Sequence, residues 1–272
     1  MDAGAVDRIL ACRTLPSLPG VALQVVELTR DASAPIDRIA KLVQNDPALT
    51  AKILRTVNSS FYGLTNPCPT ISRAVSLLGI NTVKSLVLGF SLVDMAGGEG
   101  KAGFDLTAYW RRTIYSAAGA RLLARRTGRC DPEEAFIGGL LQDVGMLAAH
   151  AALGDDYARV LAGAPEDHDD LARAEFAALG FDHASVGYKL IQKWKLPPQV
   201  AECTRHHHQP DHAGPAFAPL VQLVALGTDA AAIMTLPEPG AKLARFTSLA
   251  SAWFDIAPAD IEIGRASCRE RV

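Results

Sequence analysis

Apolar residues recur along this chain at the three-and-four spacing of an α-helix, and the strict alternation of a half-buried strand is absent. Ile36, Ile39, Ala40 and Val43 share one face of a helix that Pro35 can open. Leu49, Ile53, Leu54 and Val57 form the next stripe, with Asp46 as N-cap and Pro47 in the first turn. A turn-rich segment from Asn58 to Thr70 follows, carrying Gly63, Pro67 and Pro69. The pattern then predicts a helix from Ile71 to Leu78 closed by Gly79 in a left-handed cap, and another from Thr82 to Val93 capped by Asn81.

Gly97-Gly98-Glu99-Gly100 is the clearest break in the pattern. Beyond it a long helix is predicted from about Leu106 to Arg126, stopped by Gly128. Asp131-Pro132 starts a helix running through Phe136, Leu140, Leu141, Val144 and Leu147, apolar nearly all round as a central core helix would be. Further helices are predicted near Leu171 to Ala178, His183 to Trp194, Pro198 to His206, Pro219 to Ala232 and Lys242 to Phe254. The class is therefore all-α, a multi-helix bundle with an N-terminal helical subdomain over 1–96 and a second over 104–258, together one unit. Residues 264–272 have no apolar period and read as a vector-derived tail.

Composition narrows the setting. Hydrophobic residues make up 49% of 272, enough for a real core, and a net charge of −2 gives no global basic field for nucleic acid. The five cysteines are scattered with no C-x-x-C pair, which suits reduced thiols in a cytoplasm. Asp2, Asp7 and Arg8 interrupt any secretory signal, and apolar runs such as Leu86 to Val93 are shorter than the roughly 20 residues a bilayer needs. A soluble, cytoplasmic protein without a membrane role is expected.

The most informative segment is Gly138-Gly139-Leu140-Leu141-Gln142-Asp143-Val144-Gly145, which sets two polar residues in the middle of a buried helix. A buried carboxylate without a partner costs several kcal/mol, so Asp143 needs a donor, a cation or solvent. It is either paired within the core or the remnant of a metal site. The frame G-L-L-x-D-[IV]-G is similar to that of the HD-domain superfamily, in which a His-Asp pair stands where Gln142-Asp143 stand. From about residue 12 to 230 the chain resembles one branch of it, the HDOD domain. The resemblance rests on Leu15-Pro16-Ser17-Leu18-Pro19, Asp46-Pro47-Ala48-Leu49, Asn58-Ser59-Ser60-Phe61-Tyr62, Ile71 with Ala74-Val75 and Leu78-Gly79, Asp182-His183 with Val186-Gly187, and Trp194-x-Leu196-Pro197.

That resemblance implies an HD-like helical fold and allows the metal ligands to be carried over one by one. Arg112 stands in place of a His from an earlier helix, Gln142 in place of the paired His, and Asp143 matches the paired Asp. Later His positions fall at His183 and at His206 or His207, and the closing Asp falls near Ala225. Arg112, Gln142 and Ala225 cannot play those roles, so no metal, no cofactor and no catalytic residue are expected, with the Arg112 cation pairing with Asp143 instead. HDOD proteins are bacterial signal-transduction modules, which implies a non-catalytic regulatory role. The expected partner is a signalling protein or a component of a cyclic-dinucleotide pathway, bound in a groove near Asn58, Phe61, Tyr62, Arg112, Asp143 and His183. The alternative is a metal-dependent phosphohydrolase using Asp143, His183, His206 and His207, which requires at least three of them to converge on one point.

Three other features have plainer readings. Cys203, His206-His207-His208, Asp211 and His212 either bind zinc or nickel or place histidines favourably at a helix C-terminus. Lys52, Arg55, Arg73 and Lys84 read as a solvated basic face rather than a DNA-binding surface. Trp194-Lys195-Leu196-Pro197-Pro198 reads as an interhelical corner.

Overall fold

The structure is a computed structural model that describes residues 3–12, 15, 18–28, 35–59, 62–96, 103–165 and 167–257. Its helices are, in order, α1 (Ala3–Leu10), α2 (Gly20–Leu28), α3 (Ile36–Gln44), α4 (Pro47–Val57), α5 (Ile71–Leu78), α6 (Ile80–Ala96), α7 (Leu106–Thr127) and α8 (Pro132–Leu141). There follow α9 (Val144–Leu153), α10 (Asp155–Gly163), α11 (His168–Leu179), α12 (His183–Lys193), α13 (Pro198–His206), α14 (Ala218–Thr235) and α15 (Gly240–Phe254). A 3-10 turn, Pro210–His212, links α13 to α14. No strand occurs among the described residues. The all-α expectation holds.

Side-chain caps set several of these starts. Asp46 accepts from Leu49 N at 3.0 Å, Asp105 from Ala108 N at 2.9 Å, and Asp131 from Glu133 N at 2.7 Å. Asp167 and Asp182 cap α11 and α12 in the same way, which makes His168 and His183 the first helical residue of each. Both histidines are thereby held in the first turn of a well-anchored helix.

The sequence pattern does not place α1, α2 or α10, and three further details depart from it. Asn81 is not a cap: α6 begins at Ile80, and Asn81 Nδ2 donates instead to Asp131 Oδ2 at 3.2 Å, tying α6 to the start of α8. Gly79 has φ 85° as a left-handed cap would, but its ψ of 159° takes it out of the αL well into a positive-φ conformation open essentially to glycine alone. The long central helix is two, because Gln142 and Asp143 interrupt it between α8 and α9. Periodicity could not show that break, since residues on both sides of it are buried.

Glycines permit the closest helix contacts around the break. A Cβ on Gly145 would stand 1.9 Å from the His183 carbonyl oxygen and 2.6 Å from Gly187 N, so α9 and α12 touch backbone to backbone. A Cβ on Gly227 would meet the Ser116 carbonyl oxygen at 2.4 Å, which places α14 equally close to α7. One buried cluster joins Val25, Ile53, Ile71 and Leu88 of the first six helices to Leu140, Leu141, Val186 and Ile191 of α8 and α12. The expected division near residues 97–100, which lie outside the described residues, is thus bridged by a continuous core. By length and composition alone Pro132–Leu153 and Ala218–Thr235 could cross a membrane, but 78% and 56% of those windows are buried inside the protein.

The α9–α12 contact makes a testable demand. Gly145→Ala should destabilise the fold by about 3 kcal/mol or more, because the methyl meets backbone that cannot give way. Gly163→Ala at the end of α10, where nothing lies within 4 Å of the new Cβ, should be neutral or stabilising by about 0.5 kcal/mol. Urea denaturation of both variants decides it; equal midpoints would mean the helices are not this close.

Candidate metal centre

Asp143 has no solvent exposure, and its two carboxylate oxygens face different surroundings. Oδ2 lies 3.4 Å from Arg112 Nε of α7 and accepts from Gln142 Nε2 at 3.4 Å. Gln142 is fixed in turn, its Oε1 accepting from the Thr228 hydroxyl of α14 at 3.0 Å. Arg112 also donates to the Met146 sulfur at 3.0 Å. The expected Arg112–Asp143 pair therefore forms, but it engages only one oxygen.

The other oxygen faces imidazoles. Asp143 Oδ1 lies 2.8 Å from His168 Nε2, 3.3 Å from His207 Nε2 and 3.5 Å from His183 Nε2. His208 Nε2 completes the group, 2.9 Å from His183 Nε2, and His183 and His207 stand 3.4 Å apart through the same atoms. One ligand atom from each of the four histidines falls within 4.8 Å of every other. They come from the start of α11, the start of α12 and the turn after α13.

Hydrogen bonds on the far side of three of the four rings decide what their Nε2 atoms present, His168 Nδ1 being buried without a hydrogen-bond partner. His183 Nδ1 lies 2.7 Å from Glu175 Oε2, which also accepts from the His183 backbone N–H at 2.8 Å. Glu175 Oε1 is itself held by the Tyr157 hydroxyl at 2.5 Å. His207 Nδ1 lies 2.9 Å from the Thr204 carbonyl, and His208 Nδ1 lies 2.8 Å from Asp169 Oδ1. Each of these oxygens can only accept, so each Nδ1 carries the proton. In a neutral ring the Nε2 lone pair then points into the cluster, as a metal-ligating histidine held by an acceptor behind it does.

Lone pairs meeting at such distances repel unless a cation sits among them. With metal–nitrogen bonds of about 2.0–2.1 Å, neighbouring ligand atoms around one ion lie about 2.9–3.4 Å apart, close to the 2.8–3.5 Å of the contacts given above, while the four histidine atoms together span up to 4.8 Å. The donor set of imidazoles and one carboxylate oxygen suits zinc, iron, nickel or manganese. Asp143, His168, His183, His207 and His208 are the residues that would hold such an ion.

Protonation follows the same logic. Burial would push the Asp143 carboxyl up, but His168 and Arg112 outweigh it and hold it well below the usual range. Burial would lower His183, yet Glu175 and Asp143 push it up to about 10. Burial and then Arg112 hold His168 well below its ordinary value, and burial and then His207 take His208 down to about 3. The carboxylates of Glu175 and Asp143 thus favour a proton on His183.

Several sequence expectations are corrected by this geometry. His206 does not join the group: it lies 3.7 Å from Glu202 and packs edge-on against His212, with His207 and His208 turned inward instead. Cys203 is buried in an apolar cluster beside Gly138, with its thiol pushed above its ordinary range by burial, and shares no point with His207. Ala225 is buried on α14, and the carboxylate of that helix is Asp229, one turn on. Asp229 Oδ1 pairs with Arg245 at 2.7 Å rather than with the histidines. The proposed groove divides. Asn58 is used locally, bonding both N–H and C=O of Cys68, and Tyr62 lies against Arg121, about 13 Å along α7 from Arg112. Phe61 lies outside the described residues. The pairing of Arg112 with Asp143 was legible. That His168 and His208 join the remaining residues was not, although the His168-Asp169 pair and the run of histidines at 206–208 were the available signals.

Two open spaces approach the centre. A cavity of about 290 Å³ is bordered by Arg112, His168, Tyr109 and Met146, and one of about 510 Å³ by His208, His206, Arg205 and Lys189.

Comparison with known proteins agrees with the fold. Residues 15–210 match the HDOD domain family. An uncharacterized protein of Treponema pallidum is 28% identical over 228 residues, covering 83% of this chain and 43% of its own length. YuxH of Bacillus subtilis, also uncharacterized, is 23% identical over 49% of this chain and 34% of its own. The chain thus spans less than half the length of these relatives. Among solved structures, an HDOD domain protein of unknown function from Geobacter sulfurreducens superposes with a TM-score of 0.83 at 22% identity, covering 98% of this chain and 94% of its own. A candidate phosphohydrolase from Shewanella amazonensis gives 0.73 at 25% identity over 93% and 89%. With its helical architecture, its Gln142-Asp143 junction and this match over most of its length, the chain belongs to the HDOD domain family.

Proposed function

We propose that this chain is a regulatory HDOD module holding one divalent transition-metal ion on Asp143, His168, His183, His207 and His208, and working with a signalling protein or a cyclic-dinucleotide pathway component. The observation that supports it is the convergence of three imidazole Nε2 atoms on one oxygen of a buried carboxylate, with His208 Nε2 2.9 Å from one of them. A single ion is favoured because Arg112 and Gln142 engage Asp143 Oδ2, so the carboxylate has no free oxygen with which to bridge a second. A regulatory rather than catalytic role is favoured because five side-chain ligands leave a six-coordinate ion a single position, enough for a water or a substrate oxygen but not for both.

A phosphohydrolase is the second reading, supported by the cavity that places Arg112 and His168 on one wall. A metal here would supply a Lewis acid and a water of lowered pKa. Arg112 would then face an anionic group in that cavity while keeping Asp143 ionised. The two readings differ in turnover. Metal-loaded protein should hydrolyse neither bis(4-nitrophenyl) phosphate nor cyclic dinucleotides faster than the His183→Ala variant does; turnover lost in that variant would select the hydrolase.

Metal analysis tests the centre itself. Purified untagged protein should carry about one equivalent of metal, and His183→Ala or His207→Ala should weaken binding by at least about 100-fold. His206→Ala should leave it unchanged. Metal-free wild type that takes up neither zinc, iron, manganese nor nickel would refute the reading.

Loading should also release a proton. His183 is raised, so it stays protonated below about 10 and must lose that proton to bind metal. Affinity should therefore rise about tenfold per pH unit between pH 7 and 9, with about one proton released per ion at pH 7. Calorimetry in buffers of different ionisation enthalpy measures this, and an affinity flat with pH would contradict it.

A further inference from the structure

The C-terminal helix α15 lies beyond the residues that match the family, yet it reaches the proposed centre through a chain of charges. Asp169, whose Oδ1 fixes His208 Nδ1 at 2.8 Å, uses its Oδ2 to accept from Lys242 Nζ at 2.8 Å and from Arg245 Nη1 at 2.9 Å. Lys242 lies 2.9 Å from Asp167 Oδ1 and 3.7 Å from Asp229, and Arg245 Nη1 donates to Asp229 Oδ1 at 2.7 Å. Three carboxylates from the α11 start and α14 are thus gathered on two cations from α15. The Lys242 side chain is 10% exposed and that of Asp229 1%, against 21% for Asp169, 32% for Arg245 and 35% for Asp167, so solvent screens the Lys242 side of this network least.

The rest of α15 is held by packing. Phe246, Ala250 and Phe254 lie in one buried cluster with Leu220, Val221, Leu223 and Val224 of α14 and Ala120 and Ala124 of α7. The helix therefore has a fixed apolar seat, and its first turn and a half delivers Lys242 and Arg245 to Asp169. Without those cations, Asp167, Asp169 and Asp229 would repel one another. Asp169 would then turn outward or take a proton, and His208 would lose the acceptor that fixes its tautomer and its ring.

We propose that Lys242 and Arg245 are positioning residues of the metal centre, acting through Asp169 on His208, so that docking of α15 and loading of the metal are coupled. This rests on the metal reading above. Coupling between two events is reciprocal: whatever the docked helix adds to metal affinity, bound metal adds to helix docking. The module would thereby carry the state of its buried centre to its C-terminal helix, 34 residues in sequence after His208 by the numbering of Lys242.

Cobalt(II) and zinc(II) affinities, read by competition with a chromophoric chelator, test the proposal. Lys242→Met and Arg245→Met should each bind metal 10–100-fold more weakly than wild type, the range for losing an outer-shell partner. Lys242→Arg should recover most of the loss. Arg173→Met, which removes an exposed partner of Asp170 on the same helix as Asp169, should change nothing. Hydrogen exchange on the wild type supplies a readout that needs no variant: amides of α15 should exchange more slowly with zinc bound than without. Wild-type affinity in both Met variants, or α15 exchange that ignores zinc, would overturn the coupling while leaving the metal centre standing. A wild type that binds neither ion would remove both.

Discussion

The fully buried charge of Asp143 is the constraint around which the second half of this protein is organised. A carboxylate with no water around it must be neutralised, and the fold does so on two sides at once. Oδ2 receives a permanent cation, Arg112, and an amide, Gln142. Oδ1 receives imidazoles from α11, α12 and the turn after α13. Each of those elements is placed so that a nitrogen arrives within 3.5 Å of the same oxygen. The break between α8 and α9 belongs to this arrangement, since Gln142 and Asp143 stand at the junction.

Charge is then handled in layers. His183, His207 and His208 are backed by Glu175, by the Thr204 carbonyl and by Asp169, while His168 Nδ1 is buried without a hydrogen-bond partner; Glu175 is backed by the Tyr157 hydroxyl, and Asp169 by Lys242 and Arg245. Alternation of sign outward from the centre keeps each buried ion paired, which a low-dielectric interior demands. Burial alone would raise every one of these carboxylates, and for Asp143, Asp169 and Glu175 the neighbouring cations and donors outweigh it. Asp229 is the exception, raised to about 6 because burial outweighs Arg245 and Lys242. It is also the carboxylate in the network with one oxygen left without a hydrogen-bond partner.

Such a centre keeps Asp143, His183 and His207 at places the HD pattern uses and differs from it in lacking donors at 112 and 142 and in bringing in His168 and His208. Substitution at Arg112 and Gln142 takes away two nitrogen donors and uses one face of Asp143 for a salt bridge. Histidines at 168, 207 and 208 approach the other face. The result keeps a donor set fit for one ion while placing a fixed positive charge beside it, which favours a closed site over one with room for two metals and a substrate.

What the sequence determined by itself was the helical class, most helix boundaries and the burial of Asp143. These follow from local rules: apolar period, Asp-Pro starts, glycine stops and the cost of an unpaired charge. It also showed that Arg112, Gln142 and Ala225 cannot supply the imidazole and carboxylate donors of the HD pattern, because side-chain chemistry is fixed by identity. Only the tertiary structure decided that His168, His183, His207 and His208 meet, that His206 turns away, and that Lys242 and Arg245 reach Asp169. Those residues are separated by up to 77 positions, as from His168 to Arg245, and no local period encodes their meeting. It depends on how closely the helices approach and rotate against one another, which here is set by backbone contacts at Gly145 with Gly187 and at Gly227 with Ser116.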